Sequence, residues 1–377
     1  MVANKYFDIT VQSPGRINLI GEHIDYNGGH VLPAAINLNI TIGFKKQEGS
    51  ICDISSKAKG SFKLDLDQPL KPKTSDQWGN YVIGVVDGIL KSRPQKLSAF
   101  NCEIESNLPI GSGISSSAAL ECGIAFGLNS LFNLNLSDLE LIKIAQKAEH
   151  YFVGTKCGIM DQFAVTMGQK NKLILLNCQT LKYQLIEANI DPYKVVLLNT
   201  NVEHKLASSE YNTRRKECEK AMEIIKSKYP DYHHLAEVPI EVIKTIKNEL
   251  DELVFKRASY VVDEEKRTIH ASQVVQNGNL IKFGELMYAS HVGLSNEYDV
   301  SCQELDFLVD YSKKYNSVIG SRMMGGGFGG CTINLIHEDY IKTYIESVTK
   351  AYKNRFGLEL SSIAVSYTHL TLPTISC

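Results

Sequence analysis

The opening of the chain carries the two-residue alternation of strands. Ile9-Thr10-Val11 alternates, and Asn37 to Phe44 is rich in β-branched residues. From Trp78 to Leu90 the period lengthens to that of a helix. Leu120, Ile124, Leu128 and Leu131 share one helical face, which predicts a helix from near Ser115 to Phe132. The next helix is announced by a capping box, Ser137-Asp138-Leu139-Glu140, and its inward stripe would be Ile142, Ala145, Glu149 and Phe152. Lys172 to Leu176 and Val195 to Leu198 supply two buried strands, whereas Ser208–Tyr229 and Glu241–Glu252 are charged and helical in character. A strand is expected again at Cys331–Ile336, followed by an amphipathic helix from about Glu338 to Tyr352. The pattern is α+β, without repeats or a low-complexity linker, and a division near 185 to 195 is expected.

Length and composition narrow this picture. A chain of 377 residues is comfortable for two domains and ample for a sizeable core. Lys and Arg number 40 against 42 Asp and Glu, a formal −2, so no basic excess points to nucleic acid or to an anionic membrane surface. A small-molecule partner is the natural alternative. The nine cysteines are scattered and form no CxxC pair, which indicates neither a disulfide framework nor a zinc site. Met1–Tyr6 lacks the apolar core of a signal peptide, and no apolar run approaches the roughly 18 residues that span a bilayer. A cytoplasmic protein is expected.

Five segments could carry chemistry. In Gly15–Gly29, Glu22, His23 and Asp25 place acceptors and a donor within four residues between two apolar strands, as a polyhydroxylated ligand would require. In Leu108–Ala119, a Gly and Ser-rich loop opens onto a helix whose first N–H groups and positive dipole end suit phosphate. No GK[ST] follows, so any further positive charge must come from an arginine or a metal. Glu149 falls on an apolar stripe, where a magnesium ligand paired with Ser117 and a buried salt bridge are both open readings. Asp161, in Cys157-Gly158-Ile159-Met160-Asp161-Gln162, could accept a hydroxyl proton, orient that hydroxyl, or merely cap a loop. Met323–Thr332 holds five glycines in six positions, which marks a tight turn or a close backbone approach.

In this order, these segments resemble the galactokinase family of the GHMP kinases, over about Val11 to Leu358. The resemblance implies a two-domain α+β fold: an N-terminal mixed-sheet domain (1–190), a C-terminal ferredoxin-like domain (191–365) and the active site between them. It implies ATP and magnesium as co-substrate and ion, and galactose as the acceptor. Glu22, His23, Asp25, Gly158 and Tyr211 would contact the sugar, with Arg16 and Asp161 catalytic. The nucleotide would meet Ser56, Trp78 and the loop Gly111, Ser112, Gly113, Ile114, Ser115, Ser116 and Ser117, while Ser117 and Glu149 would hold magnesium. A monomer is implied. Two alternatives remain open on sequence: a kinase for a neighbouring sugar such as N-acetylgalactosamine or arabinose, and a non-catalytic galactose sensor. Ile114 replaces the usual leucine, and Ser366–Cys377 matches nothing in the family, so this stretch (366–377) is expected to be foreign to the native protein.

Overall fold

The computed structural model describes residues 6–74, 77–94, 96–109, 112–203, 207–367 and 371–375. Gly111, expected at the phosphates, lies outside them. The N-terminal half runs β1 (Ile9–Asn18), β2 (His30–Val31), β3 (Pro33–Lys46), β4 (Ile51–Ser56), β5 (Gly60–Asp65), α1 (Gln77–Ser92), β6 (Phe100–Ser106), α2 (Ser116–Leu131), α3 (Asp138–Ala148), α4 (Met160–Met167), β7 (Lys172–Asn177) and β8 (Tyr183–Glu187). The remainder runs β9 (Tyr193–Glu203), α5 (Ala207–Lys228), α6 (Ile240–Thr245), α7 (Glu252–Gln276), α8 (Leu280–Asn296), α9 (Gln303–Ser312), β10 (Val318–Met323), β11 (Gly329–His337), α10 (Ile341–Phe356), β12 (Ser361–Val365) and β13 (Thr371–Ile375).

Three sheets result. The largest has the order β13-β1-β3-β6-β4-β5 and is mixed, because β4 pairs with β6 in parallel while its other pairs are antiparallel. Helices α1, α2 and α3 pack on one another, and α2 lies against β1 and β3 with Ile124, Leu128 and Leu131 turned inward. The C-terminal sheet, β10-β11-β9-β12, is wholly antiparallel. Its alternation assigns two faces: Val196, Leu198 and Ile336 bury against α9 and α10, whereas Val195, Leu197, Ile333 and Leu335 join the core shared with the large sheet. One apolar interior therefore runs through both halves, which fixes the cleft between them.

Several elements differ from expectation. Strands β4, β5, β6, β8, β10, β12 and β13 and helices α4, α7, α8 and α9 were not foreseen. The segment 241–252 is not one helix. Its apolar residues Ile243 and Ile246 are satisfied by the short α6, and the Asp251 side chain accepts from the Val254 N–H at 2.8 Å to start α7 anew. The stripe through Phe152 also breaks: α3 ends at Ala148 and residues 149–153 form a π-turn, closed where Gly154 (φ 94°) donates to the Glu149 carbonyl. Of the stretch expected to be foreign, Tyr367 bridges Ile36 and β13 pairs with β1 as the edge strand. No helix among the described residues is long and apolar enough to cross a membrane.

Candidate active site

Strand β1 delivers Arg16 to the end of the large sheet. The Arg16 N–H donates to the Ile114 carbonyl at 3.0 Å, so the strand is stitched to the Gly-Ser loop. The buried guanidinium donates to Asp161 through Nε (2.7 Å to Oδ1) and Nη2 (2.9 Å to Oδ2), and through Nη1 to the Gly113 carbonyl. Burial works against this cation, but Asp161 and Glu22 outweigh it and hold Arg16 above its ordinary pKa. Asp161 caps no loop. It sits in the first turn of α4, and its Oδ2 also accepts from Ser115 Oγ at 2.5 Å. Ser115 reaches it by adopting a left-handed backbone (φ 56°, ψ 55°) at the start of α2, where its side chain caps nothing. The orphan N–H groups of α2 are therefore left facing the cleft.

Next to Asp161 lies a cavity of about 170 Å³, lined by Glu22, His23, Asp25 and Tyr211 together with Arg16, Glu149, Cys157 and Gly326. Glu22 is buried, and its Oε1 accepts from Arg322 Nη2 (3.1 Å) and the Gly325 N–H (2.9 Å). Arg322 is itself fully buried and donates to the Leu19, Asn18 and Met323 carbonyls, so it fastens the strand that leads into this loop. Burial, with Asp161 nearby, pushes the Asp25 carboxyl up to about 7. His23 has both ring nitrogens engaged: Nε2 with the Gly326 carbonyl (3.1 Å) and Nδ1 with the Tyr26 hydroxyl (2.9 Å). No ring nitrogen is left for a ligand. Gly158 does not line this cavity but an adjoining one behind Asp25. Its missing Cβ explains the residue, since a Cβ there would sit 1.9 Å from Asp25 Oδ2.

A second cavity, of about 390 Å³, gathers Ser56, Trp78, Tyr81, Ser116 and Ser117 between apolar walls that include Ile104 and Leu120. The Trp78 ring stands edge-on to Phe62 at 5.2 Å. Within the loop, Ser112 Oγ donates to the Pro109 carbonyl (2.8 Å) and Ile114 is buried in the core, so their side chains shape the loop rather than reach a ligand. Gly113 (φ 69°) and Gly325 (φ 82°) face each other. A Cβ on either would meet the other loop's backbone at 3.1 to 3.2 Å, which brings the two glycine-rich segments together.

Glu149, on the wall of the first cavity, accepts from the hydroxyl of Ser117 on the wall of the second, from the Cys157 thiol and from Gln162 Nε2 (3.1 Å). Burial, then Asp161, pushes Glu149 up to about 7 despite these donors. No cationic side chain among the described residues pairs with it, so the buried salt bridge has no partner. Gln162 Nε2 also donates to Glu121 Oε2 at 3.1 Å, and Glu121 is fully buried. No group of three or more His, Cys, Asp or Glu side chains among the described residues is arranged to hold a metal alone. A buried carboxylate without counter-charge, beside the Ser117 hydroxyl at the start of α2, nevertheless fits a magnesium ion whose remaining ligands would come from outside the protein.

Sequence reasoning missed Arg322, Glu121 and Gln162, and gave no role to Tyr26 and Tyr298. Arg322 and Glu121 left a trace, as charged residues inside apolar segments.

Residues 3–46 match the galactokinase galactose-binding signature, 80–169 the GHMP kinases N terminal domain and 271–354 the GHMP kinases C terminal region. The chain is 40% identical to a galactokinase of Clostridium acetobutylicum, covering 97% of this chain and 94% of that one. The structure of Lactococcus lactis galactokinase complexed with galactose superposes with a TM-score of 0.92 at 37% identity, covering 97% of this chain and 95% of that chain. Methanococcus jannaschii mevalonate kinase, at 20% identity and a TM-score of 0.68, shares the fold.

Proposed function

Because the chain belongs to the galactokinase family of the GHMP kinases, we propose that its two cavities hold galactose and ATP and that Asp161 and Arg16 carry the transfer between them. The enzyme is an ATP-dependent sugar kinase. The reaction forms galactose 1-phosphate and ADP when the C1 hydroxyl attacks the γ-phosphorus.

The observation that carries this reading is the pairing of Arg16 with Asp161 where the sugar cavity meets the uncapped start of α2. Asp161 accepts three hydrogen bonds, which leaves about one of its four or so acceptor positions for the sugar hydroxyl. That last position holds the hydroxyl proton and turns an oxygen lone pair toward the phosphate. Arg16 uses three of its N–H groups on Asp161 and Gly113, and two remain for the phosphoryl oxygens. Glu22, through its second oxygen, and Asp25 take sugar hydroxyls, and Tyr211 walls the cavity. Asp25, near 7, can donate or accept around neutral pH.

Trp78 and Ser56 flank the base, and the N–H groups at Ser115–Ser117 receive phosphates. Ser117 and Glu149 would hold magnesium, which supplies charge neutralisation on the phosphates when bound. Domain limits at 190 and 365, a monomeric state and a cytoplasmic location complete the reading.

The test is ADP release by the purified protein, coupled to a spectroscopic readout, with galactose, N-acetylgalactosamine and arabinose as acceptors. Galactose is expected to give the highest kcat/KM. Preference for another sugar replaces the acceptor, and galactose binding without ADP release would establish the sensor instead.

A further inference from the structure

His23 is buried in the cavity wall with a left-handed backbone (φ 62°), a conformation a non-glycine residue keeps only where its surroundings hold it. The Asn27 side-chain amide donates to its carbonyl at 2.9 Å. The ring contacts fix its proton. The Gly326 carbonyl can only accept, so Nε2 carries the hydrogen and Nδ1 accepts from the Tyr26 hydroxyl. With its proton committed to His23, Tyr26 must accept from Tyr298, 2.8 Å away, and Tyr298 accepts from the Cys218 thiol at 3.2 Å. Every proton in the chain from Cys218 to Gly326 therefore points one way. Burial, with Arg214 nearby, holds His23 in this neutral form.

The chain ties together the sugar loop, helix α5, the loop after α8 and the glycine turn before β11. Arg214 fixes the Tyr298 end by donating to the Tyr298 carbonyl at 2.9 Å and the Asp299 carbonyl at 2.8 Å. Neither Tyr26 nor Tyr298 lines the sugar cavity.

We propose that His23 is a positioning residue rather than a hydrogen-bonding ligand of the sugar: its two ring nitrogens lock the sugar loop to the Gly325–Gly326 turn through the Tyr26–Tyr298–Cys218 chain. This holds the neighbouring carboxylates of Glu22 and Asp25 at the spacing that the acceptor requires. The inference rests on the sugar-kinase reading above, and galactose turnover by the unaltered protein checks that reading independently.

Two measurements on the full chain test the proposal. Nitrogen NMR of the protein labelled with ¹⁵N-histidine, the His23 signals assigned through a His23→Gln variant, is expected to show the neutral Nε2–H tautomer. Saturating galactose should leave both ring-nitrogen shifts in place. A change of tautomer, or a shift of either nitrogen on adding galactose, overturns the proposal. In steady-state kinetics, Tyr298→Phe removes one hydroxyl two bonds away from His23. It is expected to raise the galactose KM roughly three- to tenfold, the cost of one buried hydrogen bond, with kcat and the ATP KM within about twofold. An unchanged galactose KM, or an equal loss in the ATP KM, refutes it. If the variant does not fold, the NMR experiment on the unaltered protein still decides.

Discussion

Replacing Gly158 by alanine adds one methyl group behind Asp25, and the structure states how badly it fits. The new Cβ would lie 1.9 Å from Asp25 Oδ2 and 2.2 Å from its Cγ. Reaching the 3.4 Å at which ordinary contact begins takes a movement of about 1.5 Å. The backbone N–H groups of Tyr26 and Met160 bond the Asp25 carboxylate, so it cannot yield without losing partners in a buried place. Overpacking of this kind costs roughly 1–3 kcal/mol of stability, and a shift on the order of 1 Å in a positioning group costs about 10²-fold in rate. We expect Gly158→Ala to lower kcat/KM for galactose by ~10²-fold while the ATP KM stays within about twofold, since the cavity proposed for the nucleotide is lined by other residues. The coupled ADP assay, run with each substrate varied in turn, reads both numbers. An alanine variant with the galactose kcat/KM of the unaltered protein would refute the placement of Asp25 against Gly158 in the sugar site.

Three further expectations follow from the same geometry. Asp161→Ala strands Arg16 and should lower turnover by at least ~10³-fold, while calorimetry still detects galactose binding; undiminished turnover would remove Asp161 from the mechanism. Arg322→Met leaves the Glu22 charge buried and unpaired, which should cost ~3–5 kcal/mol in urea unfolding; an unchanged midpoint would contradict that pairing. Trp78→Ala should raise the ATP KM about tenfold for one lost aromatic contact with the galactose KM unmoved, and equal changes in both would misplace the base.

The pH dependence has a definite sign. Asp25 and Glu149, both near 7 in the fold and lower when unfolded, retain protons that the unfolded chain releases. Their contribution to stability is complete at about pH 4 and is lost as pH rises to about 7. The ligand-free protein should therefore melt with a steeper decline over that range than Glu149→Gln, and identical slopes would count against the shift at Glu149.

What could be read in advance depended on distance along the chain. The capping box at Ser137 is legible because its partners lie three residues apart, and the structure forms it, with Ser137 and Glu140 satisfying each other's backbone. The stripe through Leu120 and Leu128 was equally local. Glu149 stood out as a carboxylate on an apolar face, but its environment did not, since Gln162 and Glu121 come from two other helices. The π-turn at 149–153 has no local signature, because it depends on the loop it must enter. The role of Ser115 was hidden for another reason. A serine at a helix start reads as a cap, and only the left-handed backbone reveals that its hydroxyl serves Asp161. Arg322 lies 300 residues from Glu22, beyond any local pattern.

That last separation has a practical consequence for engineering. The Gly15–Gly29 segment looks like a portable cassette for sugar choice, yet it is assembled only in place. Its glutamate is clasped by Arg322 and Gly325, its histidine by Gly326, and its Gly21 backbone by Glu264 of α7 at 3.0 Å. A graft into a relative that lacked those receivers would transfer the letters of the signature without its shape. Swapping specificity between relatives thus means moving the 320s and the face of α7 along with the cassette, as one unit discontinuous in sequence.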